Sequence, residues 1–235
     1  MRSPLPVLRV GAGRPLLIVH GYGLPPSIYR PTAHLLGRSG WRVVVPDLFA
    51  VRGRWDYHRC VDAVAASMRA STSVPVTAVA HSFGGGILLG VATRHPELVE
   101  RLVFCDTLGL SREWVLAREA LHPTTLVRMA TARAALGFGR MWASHPAALV
   151  RAAWWGFTSD RRDEVAAVRR RGLATHVLWA DRDTLLPRSE GENFARDLGA
   201  TFTVVERRPG SGPVDHDWMY RHPHLFASTL RRTIG

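Results

Sequence analysis

The sequence predicts a doubly wound α/β fold, in which a mostly parallel sheet is covered by helices on both faces and interrupted by a helical insertion. Short runs rich in Val, Leu and Ile, bounded by turn residues, recur along the chain as expected for buried parallel strands. Helix-length segments lie between these runs. The chain has 235 residues, of which 46% are hydrophobic, and this is enough to bury a substantial core.

Strands and helices alternate along most of the chain. The predicted strands are Leu16 to His20, Arg42 to Pro46, Val76 to Ala80, Leu102 to Asp106, Thr175 to Ala180 and Thr201 to Glu206, with a further short strand at Leu5 to Val10. The predicted helices between them are Pro31 to Arg38, Tyr57 to Ala70, Gly84 to Arg94, Glu190 to Leu198 and His224 to Thr233. Alternation of this kind is typical of a parallel sheet with helical crossovers.

The alternation stops between residues 107 and 172, where the chain supplies only helix-like stretches. These stretches are Glu113 to Leu121, Leu126 to Leu136, Pro146 to Trp155 and Asp160 to Arg170. We therefore predict a core formed by residues 1–106 and 173–235, and a helical insertion formed by residues 107–172. Four of the eight tryptophans fall in this insertion, namely Trp114, Trp142, Trp154 and Trp155.

The net charge of +12 comes from arginine alone, since all 31 basic residues are arginine. The arginines are spread along the chain, and the densest groups, Arg161-Arg162 and Arg169 to Arg171, lack the interleaved aromatic residues of a single-strand binder. This pattern favours a solvated basic face over nucleic-acid binding. The absence of lysine excludes chemistry that needs a lysine Schiff base or a P-loop lysine.

The sequence favours a soluble, cytoplasmic protein without membrane partner, metal or other cofactor. No apolar stretch approaches the roughly 20 residues of a membrane helix, and residues 1–10 lack the apolar run of a secretory signal. Cys60 and Cys105 lie far apart in sequence and are interpreted as buried hydrophobes. The only close histidine pair, in His222-Pro223-His224, is interpreted as the start of the last helix rather than a metal site.

A candidate nucleophile lies where the strand Val76 to Ala80 runs into His81-Ser82-Phe83-Gly84 and then into an apolar helix. A serine at the tip of such a turn has a strained backbone, and small residues two positions before and after it let strand and helix approach each other. Ala80 and Gly84 occupy those positions. We therefore predict Ser82 as a nucleophile, the alternative being a flexible glycine loop with an incidental serine.

A serine hydroxyl needs a base to take its proton and an acid to orient that base. His216 lies in the loop after the last predicted strand, and Asp183 follows the strand Thr175 to Ala180. The resulting order of serine, aspartate and histidine is the one expected with a nucleophile turn of this kind. We predict His216 as the base and Asp183 as the acid, with Asp181 and Asp106 as alternatives for the acid.

A tetrahedral intermediate also needs hydrogen-bond donors aimed at its oxyanion. The backbone N–H of Phe83, directly after the serine, is one predicted donor. The backbone N–H of Tyr22 is the other, in the loop His20-Gly21-Tyr22-Gly23, although these residues also fit a simple glycine turn. Both loops follow parallel strands, and open α/β sheets bind their ligands at the carboxyl ends of such strands.

These residues resemble the α/β-hydrolase superfamily over nearly the whole chain. The matching segments are His20 to Gly23, Val45 to Leu48, Ala80 to Gly86, Arg94 to Glu97, Val99 to Val103, Val177 to Asp183, His216 to Trp218 and His222 to Phe226. The resemblance implies a nucleophile, base and acid at Ser82, His216 and Asp183. It implies oxyanion donors at Tyr22 and Phe83, and it implies that the insertion is a helical cap over the pocket.

The function that follows is hydrolysis of a carboxylic ester through an acyl-enzyme intermediate, with a small molecule as substrate. The tryptophan-rich insertion favours a small to medium apolar or aromatic substrate, unless its side chains form the insertion's own core. The same fold and constellation also serve carbon-carbon bond hydrolases of ring-cleavage products and lactonases. Outside the enzymes, the alternative is a ligand receptor that retains the fold.

Overall fold

The computed structural model describes residues 3–107, 132–206 and 213–235. Its strands are β1 (Val7–Val10), β2 (Arg14–Val19), β3 (Trp41–Pro46), β4 (Val76–His81), β5 (Val99–Cys105), β6 (Ala174–Ala180) and β7 (Thr201–Val205). They form one seven-stranded sheet with the order β1-β3-β2-β4-β5-β6-β7. β1 is antiparallel to β3, and all other neighbours are parallel. The predicted doubly wound, mostly parallel α/β fold is confirmed.

Alternate side chains of the central strands enter two cores on opposite faces of the sheet. In β2, Leu17 and Val19 belong to one buried cluster, whereas Leu16 and Ile18 belong to the other. This division follows from the period of two along a strand. Every residue of β4 is buried, since the strand lies in the middle of the sheet and is covered on both faces.

The helices of the described ranges cover these two faces. They are α1 (Arg30–Arg38), α2 (Tyr57–Arg69), α3 (Gly84–Arg94), α4 (Ala132–Ser144), α5 (Pro146–Thr158), α6 (Arg162–Arg171), α7 (Arg188–Leu198), α8 (Trp218–Arg221) and α9 (Pro223–Ile234), with 3-10 turns at Pro26–Tyr29 and Pro96–Leu98. The helix predicted at Leu126 to Leu136 was placed wrongly at its carboxyl end, because α4 continues through Gly137 and Gly139 to Ser144. The helix predicted at Glu113 to Leu121 lies outside the described residues.

Arg161 packs against one aromatic ring on α2 and another on α5. Its guanidinium carbon lies 4.1 Å from the ring centroid of Tyr57 on α2 and 4.0 Å from that of Trp155 on α5. Glu164 on α6 completes the junction, since its carboxylate accepts hydrogen bonds from Arg161 at 2.6 Å and from the Tyr57 hydroxyl at 2.5 Å. A desolvated cation between two ring faces is a strong contact. The extent of the insertion stays a prediction, because residues 108–131 are outside the described ranges.

Among the described residues, no helix has both the length and the apolar character needed to cross a bilayer. Within the same ranges, no three or more His, Cys, Asp or Glu side chains gather in a way that could hold a metal ion. The cytoplasmic location, the lack of cofactors and the lack of nucleic-acid or membrane partners stay predictions.

Candidate active site

Ser82 lies at the turn between β4 and α3 with a left-handed backbone. Its φ is +52°, and the only other described non-glycine residue with positive φ is Asp106, at +45°. Such a conformation costs on the order of 1–3 kcal/mol and persists only where neighbouring structure holds it. Here the Ser82 N–H donates to Cys105 O at 3.1 Å, and the Gly85 N–H donates to Ser82 O at 2.9 Å. The two bonds hold Ser82 at the carboxyl end of β4.

The turn at Ser82 is tight because α3 begins directly against the end of β2. A Cβ at Gly84 would lie 2.3 Å from Val19 O and 2.8 Å from His20 O, both of them backbone atoms. Glycine is therefore required at this position. Ala80, on the strand side of the turn, is fully buried, so its single methyl group is accommodated where glycine is more usual.

Asp183 and His216 form a buried pair beside this turn. His216 Nδ1 donates to Asp183 Oδ2 at 2.8 Å, and the two side chains are 5% and 1% exposed. The other carboxylate oxygen, Oδ1, accepts the backbone N–H groups of Leu185 at 2.8 Å and Leu186 at 2.9 Å. The carboxylate is thus fixed by the loop that follows β6, and it sets the tautomer of the imidazole because it can only accept from Nδ1.

The charges of the pair shift both pKa values. Burial lowers the pKa of His216, but the charge and hydrogen bond of Asp183, with the charges of Asp106 and Asp217, outweigh burial and raise it to about 9. Burial raises the pKa of Asp183, but the charge and hydrogen bond of His216 and the two loop N–H groups bring it below its ordinary range. The arrangement therefore favours the ion pair over the neutral pair.

The second ring nitrogen of His216 has no partner among the described residues. Nε2 is buried without a hydrogen bond to any described residue, and this includes the hydroxyl of Ser82. His216 nevertheless lies against the serine turn, since its backbone O accepts from His81 Nε2 at 2.8 Å and the two imidazole centroids are 5.1 Å apart. Hydrogen bonds between nucleophile and base are often long before substrate binds.

The two predicted oxyanion donors come from neighbouring loops. Among the described residues, neither the Tyr22 N–H nor the Phe83 N–H has an acceptor. Their rings are in edge contact, with centroids 5.9 Å apart. The ring of His20 holds the first loop, because its Nε2 accepts the Leu48 N–H at 3.1 Å and its Nδ1 donates to Gly21 O at 2.9 Å. The loop of Tyr22 therefore contacts the residue that directly follows Ser82.

Residues 14–153 match the family described as alpha/beta hydrolase fold. The chain belongs to the α/β-hydrolase family. A 110-residue stretch is 36% identical to the 2-hydroxymuconate semialdehyde hydrolase of Pseudomonas putida, and it covers 43% of this chain and 39% of that protein. The match thus spans about two fifths of that relative's length.

Solved structures of low sequence identity share the hydrolase fold. A thermophilic esterase from Thermogutta terrifontis, in a malate-bound structure, superimposes with a TM-score of 0.75 at 19% identity, over 97% of this chain and 91% of that one. A bromoperoxidase from Bacillus anthracis superimposes with a TM-score of 0.77 at 14% identity, over 97% of this chain and 94% of that one. At these identities the likeness concerns the fold.

The two alternative acids do not bond to His216. Asp181 is exposed on the loop after β6. Asp106 is fully buried, but its oxygens accept the Ala180 N–H at 2.7 Å and the Trp218 indole N–H at 2.5 Å. Asp183 is therefore the only one of the three candidates whose carboxylate meets the imidazole.

A buried chain of hydrogen bonds behind the site involves two residues whose contacts the sequence did not indicate. The Tyr29 hydroxyl accepts the Gly21 N–H at 3.2 Å and donates to His81 Nδ1 at 2.7 Å. His81 Nε2 then donates to the backbone O of His216. These hydrogen bonds link the loop of Tyr22 to the loop of His216. Burial lowers the pKa of His81 to about 3, which keeps its ring neutral.

Helix α5 reaches the loop of Tyr22. The Tyr22 hydroxyl donates to Leu149 O on α5 at 3.0 Å. Trp155, also on α5, packs edge-on against Phe83 with centroids 5.4 Å apart. Trp154, in contrast, is 71% exposed, so the neighbouring tryptophans of this helix do not share one core.

Proposed function

We propose that the chain is a serine hydrolase that cleaves carboxylic esters through an acyl-enzyme intermediate. The observation that carries the proposal is His216, whose buried Nε2 has no partner in the described part of the chain while Asp183 fixes its Nδ1. A buried nitrogen without a partner is costly and calls for a ligand or reacting group. Ser82 lies on the adjacent turn in the strained conformation that suits a nucleophile.

In the first half-reaction, Ser82 Oγ attacks the ester carbonyl carbon while His216 Nε2 takes the hydroxyl proton. The N–H groups of Tyr22 and Phe83 donate to the oxyanion, and each such donor is worth about a hundred- to a thousandfold in rate. The tetrahedral intermediate collapses by breaking the carbon-oxygen bond to the alcohol, which receives the proton from His216. Water then repeats the sequence on the acyl-enzyme, and the products are a carboxylic acid and free Ser82.

We propose that the insertion covers the pocket and selects small to medium apolar or aromatic substrates. Support comes from α5, which bonds to the Tyr22 hydroxyl, and from Trp155, which contacts Phe83. A Cβ at Gly23 would meet the Phe138 ring on α4 at 2.4 Å, so this helix also lies against the oxyanion loop. Aromatic surface beside the donors is suited to an apolar acyl or alcohol group.

A second candidate is hydrolysis of a carbon-carbon bond in a ring-cleavage product. The 36% identity to a 2-hydroxymuconate semialdehyde hydrolase, over 110 residues, favours it. The same serine, histidine and oxyanion donors would serve this reaction and lactone hydrolysis as well, since a fold alone does not define the bond cleaved.

The test compares p-nitrophenyl esters from acetate to decanoate with a lactone and a vinylogous 1,5-diketone, and adds labelling by a fluorophosphonate probe. We expect ester turnover to exceed cleavage of the diketone, and we expect mass spectrometry to locate the probe on Ser82. Faster cleavage of the diketone would replace the ester proposal by the second candidate. A protein that neither labels nor cleaves any of these compounds would instead be a ligand receptor.

We expect kcat/KM to rise with pH on the alkaline side. His216 accepts a proton only when its ring is neutral, and the charge and hydrogen bond of Asp183 outweigh burial and raise its pKa to about 9. Because kcat/KM reports the free enzyme, we expect its midpoint well above the roughly 6.5 of an ordinary histidine. The measurement is kcat/KM for one ester across the pH range in which the protein stays folded. A midpoint at or below that of an ordinary histidine would contradict this assignment.

A further inference from the structure

We propose that Asp106 is a positioning residue of the site, whose carboxylate ties the loop carrying Asp183 to the helix that follows His216. The proposal rests on the proposed function, in which these two residues are acid and base. We call the arrangement of Asp106, Ala180 and Trp218 the Asp106 clamp.

Asp106 directly follows β5, and β5 lies next to β4, the strand that leads into Ser82. Asp106 is one of the two described non-glycine residues with positive φ, and its own N–H donates to Leu178 O at 3.1 Å. The preceding residue, Cys105, accepts the Ser82 N–H through its backbone O. A strained backbone next to a site is retained when it directs a side chain that the site needs.

The carboxylate of Asp106 bonds to one residue next to each of two loops. Its Oδ1 accepts the backbone N–H of Ala180, the last residue of β6, at 2.7 Å, and Ala180 stands three residues before Asp183. Its Oδ2 accepts the indole N–H of Trp218 at 2.5 Å, and Trp218 stands two residues after His216. One side chain therefore spans the loops that hold the acid and the base.

A carboxylate offers one acceptor oxygen to each of the two donors. Two N–H donors require two acceptor oxygens, and an asparagine would turn an NH₂ group toward one of them. A smaller or apolar residue would leave both donors buried and unpaired, which is costly. Burial and the charge of Asp183 raise the pKa of Asp106 above its ordinary range, whereas His216 and the two N–H donors favour its charged form.

The charge of Asp106 also acts on the His216 imidazole, although the two side chains form no hydrogen bond. Asp106 adds to the field of Asp183 that raises the pKa of His216. The titratable groups in its field are Asp183, His216 and the buried thiol of Cys105, whose pKa burial and Asp106 both raise. Loss of the charge is therefore expected to lower the pKa of the base, an effect that loose packing would not produce by itself.

The experiment uses Asp106→Asn, Trp218→Phe and the double variant, with Trp41→Phe as the control. Trp41 is a buried tryptophan at the start of β3, the far end of the sheet, where its ring contacts Arg14. We expect kcat for an ester to fall about 10²-fold in Asp106→Asn, because small displacements of reacting groups cost that much. KM should change little, the midpoint of the pH profile should fall, and Trp41→Phe should keep the wild-type kcat and midpoint.

Trp218→Phe tests the clamp if Asp106→Asn does not fold, because it removes one donor and keeps an aromatic ring. We expect a smaller loss of kcat, and we expect the double variant to lose little more than Asp106→Asn, since both changes open the same contact. Full additivity of the two losses, or an unchanged kcat and midpoint in a folded Asp106→Asn protein, overturns the proposal. So does a Trp41→Phe control that loses as much kcat as Trp218→Phe.

The clamp and the proposed function can fail separately. If the wild-type protein cleaves no ester, the proposed function fails, and the pKa of the His216 ring is then followed by NMR in wild type and Asp106→Asn. A lower ring pKa in the variant supports the clamp without any turnover, whereas an equal pKa overturns it.

Discussion

Ser82→Ala is expected to lower kcat/KM for an ester by about 10⁵- to 10⁶-fold, the loss found when a nucleophilic serine is removed from a working triad. The hydroxyl is the only group removed, so the unfolding temperature should stay close to that of the wild type. Alanine at the φ of +52° carries much the same backbone strain as serine. Labelling by the fluorophosphonate probe should disappear together with turnover.

The control for this variant is Ser39→Ala, which removes an exposed hydroxyl that donates to Leu35 O near the end of α1. We expect it to keep the wild-type kcat/KM. A Ser82→Ala protein that is folded and still cleaves esters at more than about a hundredth of the wild-type rate would show that another group attacks the substrate.

Asp183→Asn is expected to lower kcat/KM by about 10⁴-fold, whereas Asp181→Asn should leave it within a few-fold. The amide oxygen of asparagine can replace Oδ1 as acceptor for Leu185 and Leu186, and its NH₂ group then faces His216 Nδ1. Nδ1 must lose its proton to accept this bond, so the proton moves to Nε2 and the base is blocked. Asp181 is exposed and has no such contact with the ring.

The measurement is steady-state kinetics of both variants, with the pH profile recorded for Asp183→Asn. The midpoint of the remaining activity should fall, because the charge that raises the pKa of His216 is removed. The opposite pattern, in which Asp181→Asn loses activity by orders of magnitude and Asp183→Asn does not, would assign the acid to Asp181.

Much of the site could be predicted because its residues follow strands at one end of the sheet. Apolar runs precede Ser82, Asp183 and His216, and they identify the strands that these residues follow. Parallel pairing then brings the carboxyl ends of those strands together. The choice of Asp183 over Asp181 agrees with the observed bond to His216. The order of strands in the sheet could not be predicted from local sequence. β2 lies between β3 and β4, and strand pairing is a long-range property.

The sequence did not predict where α4 ends or which buried polar side chains pair with each other. Gly137 and Gly139 favour a break, yet α4 continues through both. At Gly139 nothing lies within 4 Å of an added Cβ, so packing does not require a glycine there. Asp106 and Trp218 are separated by 112 residues, and neither residue type indicates the other as its partner.

Heat tolerance and turnover make opposite demands at Ser82, one of the two described non-glycine residues with a left-handed backbone. Glycine would suit the backbone there better than serine, because it adopts positive φ without steric cost. A selection for thermostable variants would therefore favour a substitution that discards the proposed nucleophile. At Asp106 the same change would also leave two buried N–H donors without an acceptor, so the clamp opposes it. Stabilisation should be sought elsewhere, for example on exposed helix positions far from the carboxyl ends of the strands.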